Sequence, residues 1–213
     1  ATSIFNRRDG TKYQGAIADL QQAIRLDPNY ARAYSRLAAL YVVIPNHSDI
    51  DVRAAHAAVL RYARSASELD PSLAETWAAT GFSWGKFAGH FIDQRAAFEQ
   101  ALKLDPNDVT TNFWFGLSLA MTGYRQRGIE LVDRALKLDP MLPNALRWRG
   151  IMYFYAGDLD HAEELLKRAR DLGLPFADHN LADVIQARGD SAAAAKLAAG
   201  SAGWLYTGMP SDT

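Results

Sequence analysis

The sequence predicts an all-α chain built as a stack of antiparallel helix pairs, and three observations carry that prediction. Among 213 residues there are 37 alanines against 7 valines and 9 isoleucines. Alanine is the strongest helix former, while β-branched residues favour strands. The tripeptide Leu-Asp-Pro recurs at Leu26-Asp27-Pro28, Leu69-Asp70-Pro71, Leu104-Asp105-Pro106 and Leu138-Asp139-Pro140, with the prolines 43, 35 and 34 residues apart. A period of that length marks a repeat architecture. Small residues keep step with it. Ala23, Ala66, Ala101 and Ala135 stand five residues before the prolines, and Ala38, Gly81, Gly116 and Gly150 ten residues after them. Small side chains at a fixed phase let helix backbones approach closely.

Each unit reads as two helices followed by a proline that ends the second. The first unit, 1–30, supplies one clear helix from about Tyr13 to Leu26, because the chain begins inside the pair. The second, 31–73, is the long one. After Tyr41 the run Val-Val-Ile-Pro-Asn-His-Ser-Asp breaks the chain around Pro45, and Ser48 or Asp49 is expected to cap a helix from about Ile50 to Leu69. The third, 74–108, carries an extra residue between Gly85 and Asp93. In the fourth, 109–142, helices run from about Val109 to Met121 and Arg127 to Leu138, with a turn at Gly123. In the fifth, 143–174, they run from about Asn144 to Tyr155 and Leu159 to Leu172. Asp158 can cap the latter by accepting free amides of its first turn. Ala162, Leu165, Leu166 and Ala169 then share one face. The sixth, 175–199, turns at Gly189 into a short alanine-rich helix, Ser191 to Ala199. Residues 1–199 thus read as one domain. The tail 200–213 reads as a frayed end, or as a cap in which Trp204, Leu205 and Tyr206 fold over the last pair.

This pattern resembles the tetratricopeptide repeat (TPR). Trp77, Gly81 and Trp84 fit the first helix of one unit, and Phe98, Ala101 and Pro106 its second; Gly150, Tyr153, Ala162 and Ala169 fit a later unit. The resemblance covers nearly the whole chain and implies a right-handed α-solenoid of about 5.5 repeats. Thr80, Asn112 and Arg149 depart from it, standing where the pattern wants apolar residues, so local rotation or hydration is expected there. The lengthened helix after Pro45 and the extra residue near Gly85 are similar to the TPR region of bacterial winged-helix regulators and adenylate cyclases.

In such a stack the first helices line a concave groove, where the family holds an extended peptide or a partner helix. Helical phase puts Arg32, Ser35, Ala39, Val43, Glu75 and Asn144 on that inner surface. It also puts there the candidate partner-binding set: Phe82, Lys86, Phe113, Leu117, Met121, Arg147, Ile151, Tyr155, His179 and Asp183. Phe113, Leu117, Met121, Ile151 and Tyr155 are expected to meet an apolar segment of a partner, and Arg147 to fix its acidic group; packing against adjacent repeats is the competing use of these side chains. The carboxylate clamp of chaperone-tail-binding members requires Lys and Asn, whereas the matching places hold Ser35, Ala39, Ala78, Phe82, Phe113 and Leu117. Binding of a chaperone tail is therefore disfavoured.

Composition narrows the remaining classes. Lys+Arg 23 against Asp+Glu 24 gives net charge −1, which argues against a nucleic-acid partner. Mean hydropathy is −0.18, and no run of 18 apolar residues spans a membrane. With no cysteine there is no thiolate metal site and no cysteine nucleophile. No catalytic or cofactor-binding signature occurs. Ser83-Trp84-Gly85-Lys86 matches S-x-x-K in letters and reads as helix surface; Asp158-Leu159-Asp160-His161 reads as a turn and cap; Arg188-Gly189-Asp190 reads as a repeat turn. His47, His56 and His90 lack metal-ligand spacing, and His179 and Asp183, four apart, read as a surface pair or groove contact. The expected function is a non-catalytic protein-interaction scaffold without metal or cofactor. The alternatives are the sensory or regulatory region of a larger bacterial signalling protein, cytoplasmic or periplasmic, and a helical enzyme. A truncated first unit also invites pairing with a second copy through residues 1–40, and further sequence before Ala1 is expected.

Overall fold

A computed structural model describes residues 13–46, 50–174 and 176–200. Among them are eleven α-helices and no strand. The helices are α1 (Tyr13–Leu26), α2 (Ala31–Val43), α3 (Val52–Leu69), α4 (Ala74–Ser83), α5 (Phe91–Leu104), α6 (Val109–Met121), α7 (Arg125–Leu138), α8 (Pro143–Tyr155), α9 (Leu159–Asp171), α10 (Ala177–Ala187) and α11 (Ser191–Gly200). They form two compact units, the first ending at Leu138 and the second starting at Asp139.

In the first unit α2 packs on α3, α4 on α5 and α6 on α7, while the first helices α2, α4 and α6 lie side by side. In the second, α8 pairs with α9 and α10 with α11, and α8 touches α10. Each unit is thus a stack of helix pairs, as the sequence predicts.

The Leu-Asp-Pro signature works through its aspartate. Helices α1, α3, α5 and α7 each end on the leucine. The next carboxylate then accepts the amide two residues on: Asn29 to Asp27 at 3.0 Å, Ser72 to Asp70 at 2.9 Å, Asn107 to Asp105 at 2.9 Å and Met141 to Asp139 at 3.0 Å. This Asx turn redirects the chain into the next helix. Between the two helices of a pair the turn needs positive φ, supplied by Gly123 (96°), Gly157 (82°) and Gly189 (93°).

The phased small residues sit where backbones meet. Ala66, Ala101, Ala135 and Ala38 are fully buried. A Cβ on Gly150 would meet the Leu166 side chain at 2.9 Å, and one on Gly81 the Gln94 carbonyl at 3.0 Å. Larger side chains fill the space around these contacts. Phe98 stacks on Phe115 with centroids 5.1 Å apart, and Phe82 tilts against Trp114 at 5.0 Å. In the second unit Ala162, Leu166, Leu181 and Val184 form the core, with Tyr153, Phe154 and Leu197 against it.

Several expectations are refined. The long helix α3 is capped by Asp51, whose carboxylate accepts the amides of Arg53 and Ala54 at 3.0 Å, rather than by Ser48 or Asp49, which lie outside the described residues. Asp158 caps α9 as expected, accepting from the His161 amide at 3.2 Å. The extra residue near Gly85 is absorbed in a π-helical turn, Trp84–Ala88, after α4. The three departures from the repeat pattern do not interrupt their helices. Thr80 Oγ1 donates to the Thr76 carbonyl at 2.9 Å, and buried Asn112 donates from Nδ2 to the Pro106 and Asp108 carbonyls at 3.0 and 2.9 Å. Arg149 lies with its guanidinium 3.8 Å from the Tyr153 ring centroid. The tail 201–213 and residues 1–12 of the expected pairing surface lie outside the described residues.

Candidate binding surface on the first helices

In the first unit the inner-facing residues are mostly packed in. Ser35, Ala39 and Val43 on α2 are each 1% exposed. On α6, Phe113 and Leu117 are 3% and 5% exposed, so they present no surface to a partner in this structure, whereas Met121 at the helix end is 71% exposed. One face of a helix is therefore closed in its middle and open at its C-terminal turn. Phe82 is half-buried against Trp114. Lys86 is exposed, yet its Nζ donates to the Val42 carbonyl at 2.8 Å and ties the π turn to α2.

A polar cluster occupies the inner side of α2 and α4. Glu75 pairs with Arg36 at 2.5 Å and accepts from Ser35 Oγ at 3.5 Å, while Thr76 Oγ1 donates to Ser35 Oγ at 2.9 Å. Burial raises the Glu75 carboxyl above its ordinary pKa; Arg36 pulls it down and Asp108 adds to the rise. Burial is the largest of these influences, because taking a carboxylate out of water outweighs one partly solvated cation.

A second cluster brings together residues that the sequence reading takes separately. His56 on α3 meets Ser83 Oγ through Nδ1 at 2.6 Å, and its ring stands edge-on to Trp84 at 5.3 Å. His90 stacks on the same indole at 5.1 Å and reaches Asp93 at 3.3 Å. Burial, then the charge of His90, lowers the His56 pKa. His56 and Ser83 are 27 residues apart, so no local spacing announces the pair. Ser83 is 0% exposed. A hydroxyl sealed from solvent joins α3 to α4 and cannot reach a substrate.

In the second unit the inner surface is more open. Arg147 Nε donates to Asn180 Oδ1 at 2.6 Å, and its guanidinium lies 5.1 Å from the Trp148 ring centroid and 5.9 Å from that of Phe176. This arginine, expected to hold a partner's acidic group, is engaged in joining α8 to α10. Ile151 is half-buried; Tyr155, edge-on to Phe154 at 5.5 Å, is 72% exposed. His179 and Asp183 are exposed on α10. No group of three His, Asp or Glu among the described residues could hold a metal ion. No described helix is long and apolar enough to cross a membrane.

A tetratricopeptide-repeat family model matches residues 123–175, and a TPR-repeat model matches residues 7–42. The chain carries tetratricopeptide repeats over these segments. The TPR chain is similar to the solved structure of PilF from Pseudomonas aeruginosa, with 17% identity and a TM-score of 0.66, covering 84% of this chain and 78% of that one. It is similar to PilW, described as a type IV pilus biogenesis factor, with 19% identity, a TM-score of 0.63 and coverage of 94% and 92%. It is also similar to YrrB, described as a TPR protein with an unusual peptide-binding site, with 18% identity, a TM-score of 0.52 and coverage of 87% and 92%. At these identities the likeness shows the fold alone. Among curated proteins none matches the sequence significantly.

Proposed function

We propose that this TPR chain is a non-catalytic protein-interaction scaffold that holds a peptide or partner helix on the inner face of its first helices, with the working surface on α8 and α10. The observation that carries the reading is Tyr155, a large amphipathic side chain 72% exposed beside half-buried Ile151, on helices locked together by the Arg147–Asn180 hydrogen bond. Exposed tyrosine on a rigid support loses little entropy when it is covered, which is why such residues anchor interfaces. Asp183 and His179, exposed on α10, favour a partner carrying a basic group next to its apolar anchor. Phe113 and Leu117 drop out of the anchor set, being already covered, and Arg147 acts by positioning α8 against α10. The peptide-binding description of YrrB and the repeat family itself support an interaction role.

Selection of displayed peptides on the intact chain tests this. Enriched peptides should pair an aromatic or branched aliphatic residue with Lys or Arg, and Tyr155→Asp should weaken them by at least about tenfold while helicity and melting stay unchanged. Selected peptides that bind Tyr155→Asp and Ile151→Asp as well as the parent chain would overturn the reading.

A further inference from the structure

A second surface lies on the opposite side of α6. Phe115 and Leu119 are offset by two residues from Phe113 and Leu117, about 200° around a helix, so they face away from the inner surface. There they form, with Leu102 of α5, the apolar floor of a cavity of about 400 Å³ in the first unit. Phe115 and Leu119 are each 6% exposed, so the apolar surface open to a ligand is mainly that of half-buried Leu102 and of Tyr124, which is 57% exposed.

The rim is cationic. Arg95 and Lys103 from α5 and Arg127 from α7 line the cavity, against a single carboxylate, Glu99. Glu99 is taken by Arg95 at 2.9 Å, and the same guanidinium lies 5.6 Å from the Tyr124 ring centroid. Arg127 pairs with Glu130 at 3.0 Å. No ion pair among the described residues engages Lys103, which is exposed. The basic edge continues along α7 to Arg134, one heptad from Arg127, which reaches across to Asn107 Oδ1 at 3.0 Å. An apolar floor under an excess of positive charge is built for a ligand that carries both an apolar group and carboxylates.

We propose that this outer cavity is a docking site for an acidic peptide segment of a partner protein, one aromatic side chain entering against Leu102 and the Tyr124 ring while flanking carboxylates meet Lys103 and Arg127. The volume of about 400 Å³ suits one large side chain with its backbone. The site is separate from the inner surface on α8 and α10, so a protein could be held on each.

The test is an NMR titration of the ¹⁵N-labelled chain with acetyl-Asp-Glu-Phe-Glu-Asp-amide. The expected result is saturable shifts at the amides of Leu102, Lys103, Leu119 and Tyr124. Affinity should fall about tenfold when Ala replaces the central Phe, and again in about 0.5 M salt. Lys103→Glu should weaken binding at least about fivefold with unchanged melting, since this side chain is exposed, and Tyr155→Asp should leave it unaltered. Absence of saturable shifts, equal binding of the Ala peptide, indifference to Lys103→Glu, shifts confined to α8 and α10, or tighter binding of an oligonucleotide of the same charge would each overturn the proposal.

Discussion

Gly128 lies against Gly116 so closely that a Cβ built on it would stand 2.6 Å from the Gly116 carbonyl oxygen and 2.6 Å from the Ala120 amide nitrogen. A Cβ on Gly116 would in turn meet the Gly128 carbonyl at 2.7 Å and Val132 at 2.9 Å. The obstacle in both directions is largely backbone, which cannot rotate away. Gly116→Ala and Gly128→Ala should therefore each destabilise the chain by about 1–3 kcal/mol through forced separation of α6 and α7. Gly15→Ala on α1, where nothing lies within 4 Å, should be neutral or stabilising by up to about 1 kcal/mol, as helix propensity dictates. Urea denaturation of the three variants checks the contrast, and similar behaviour at all three positions would contradict it.

Burial of His56 gives the first unit a pH response of definite sign. Burial and the neighbouring His90 lower the folded-state pKa of His56, so the unfolded chain takes up this proton first. The stabilisation is complete above the ordinary value of about 6.5 and is lost as pH falls through that value toward the lowered one. The unfolding midpoint should fall between about pH 7.5 and 5.5, and His56→Gln should flatten that part of the profile. An identical slope in the variant would assign the response to other groups.

Glu75 works in the opposite direction. Its pKa is raised, with burial outweighing Arg36. Its stabilising influence is present below the ordinary glutamate range and declines as pH rises through the raised value. The parent chain should therefore lose stability relative to Glu75→Gln as pH climbs above the ordinary glutamate range. A parent that gains on the variant over that range would mean that the ion pair with Arg36 dominates.

Much of the fold is legible in the sequence because repeats announce themselves through residues that do one job at one phase. Leu-Asp-Pro ends four of the helices, and Gly123, Gly157 and Gly189 turn the chain between the helices of a pair, so boundaries fall within a few residues of expectation. The binding surface is less legible. Helical phase gives a side chain's direction relative to its own axis, and it placed Phe113, Leu117 and Met121 on one face. It carries no information on how far neighbouring atoms cover that face, and only Met121 stays open. Pairings across the sequence were equally hidden. Lys86, singled out with Ser83 for an S-x-x-K spacing, bonds to the Val42 carbonyl 44 residues away, and Arg147 is held by Asn180 33 residues on.

The division between covered and open inner residues is the centre of this account, and a direct comparison of Phe113→Asp with Tyr155→Asp measures it. Burying a carboxylate at the site of a 3% exposed phenylalanine should cost about 3–5 kcal/mol and abolish cooperative unfolding at ordinary temperature. The change at Tyr155 should leave the melting curve in place and remove binding of a peptide selected on the parent chain. A folded Phe113→Asp that no longer binds, together with a Tyr155→Asp that binds normally, would contradict the account and move the binding surface from α8 and α10 to α6.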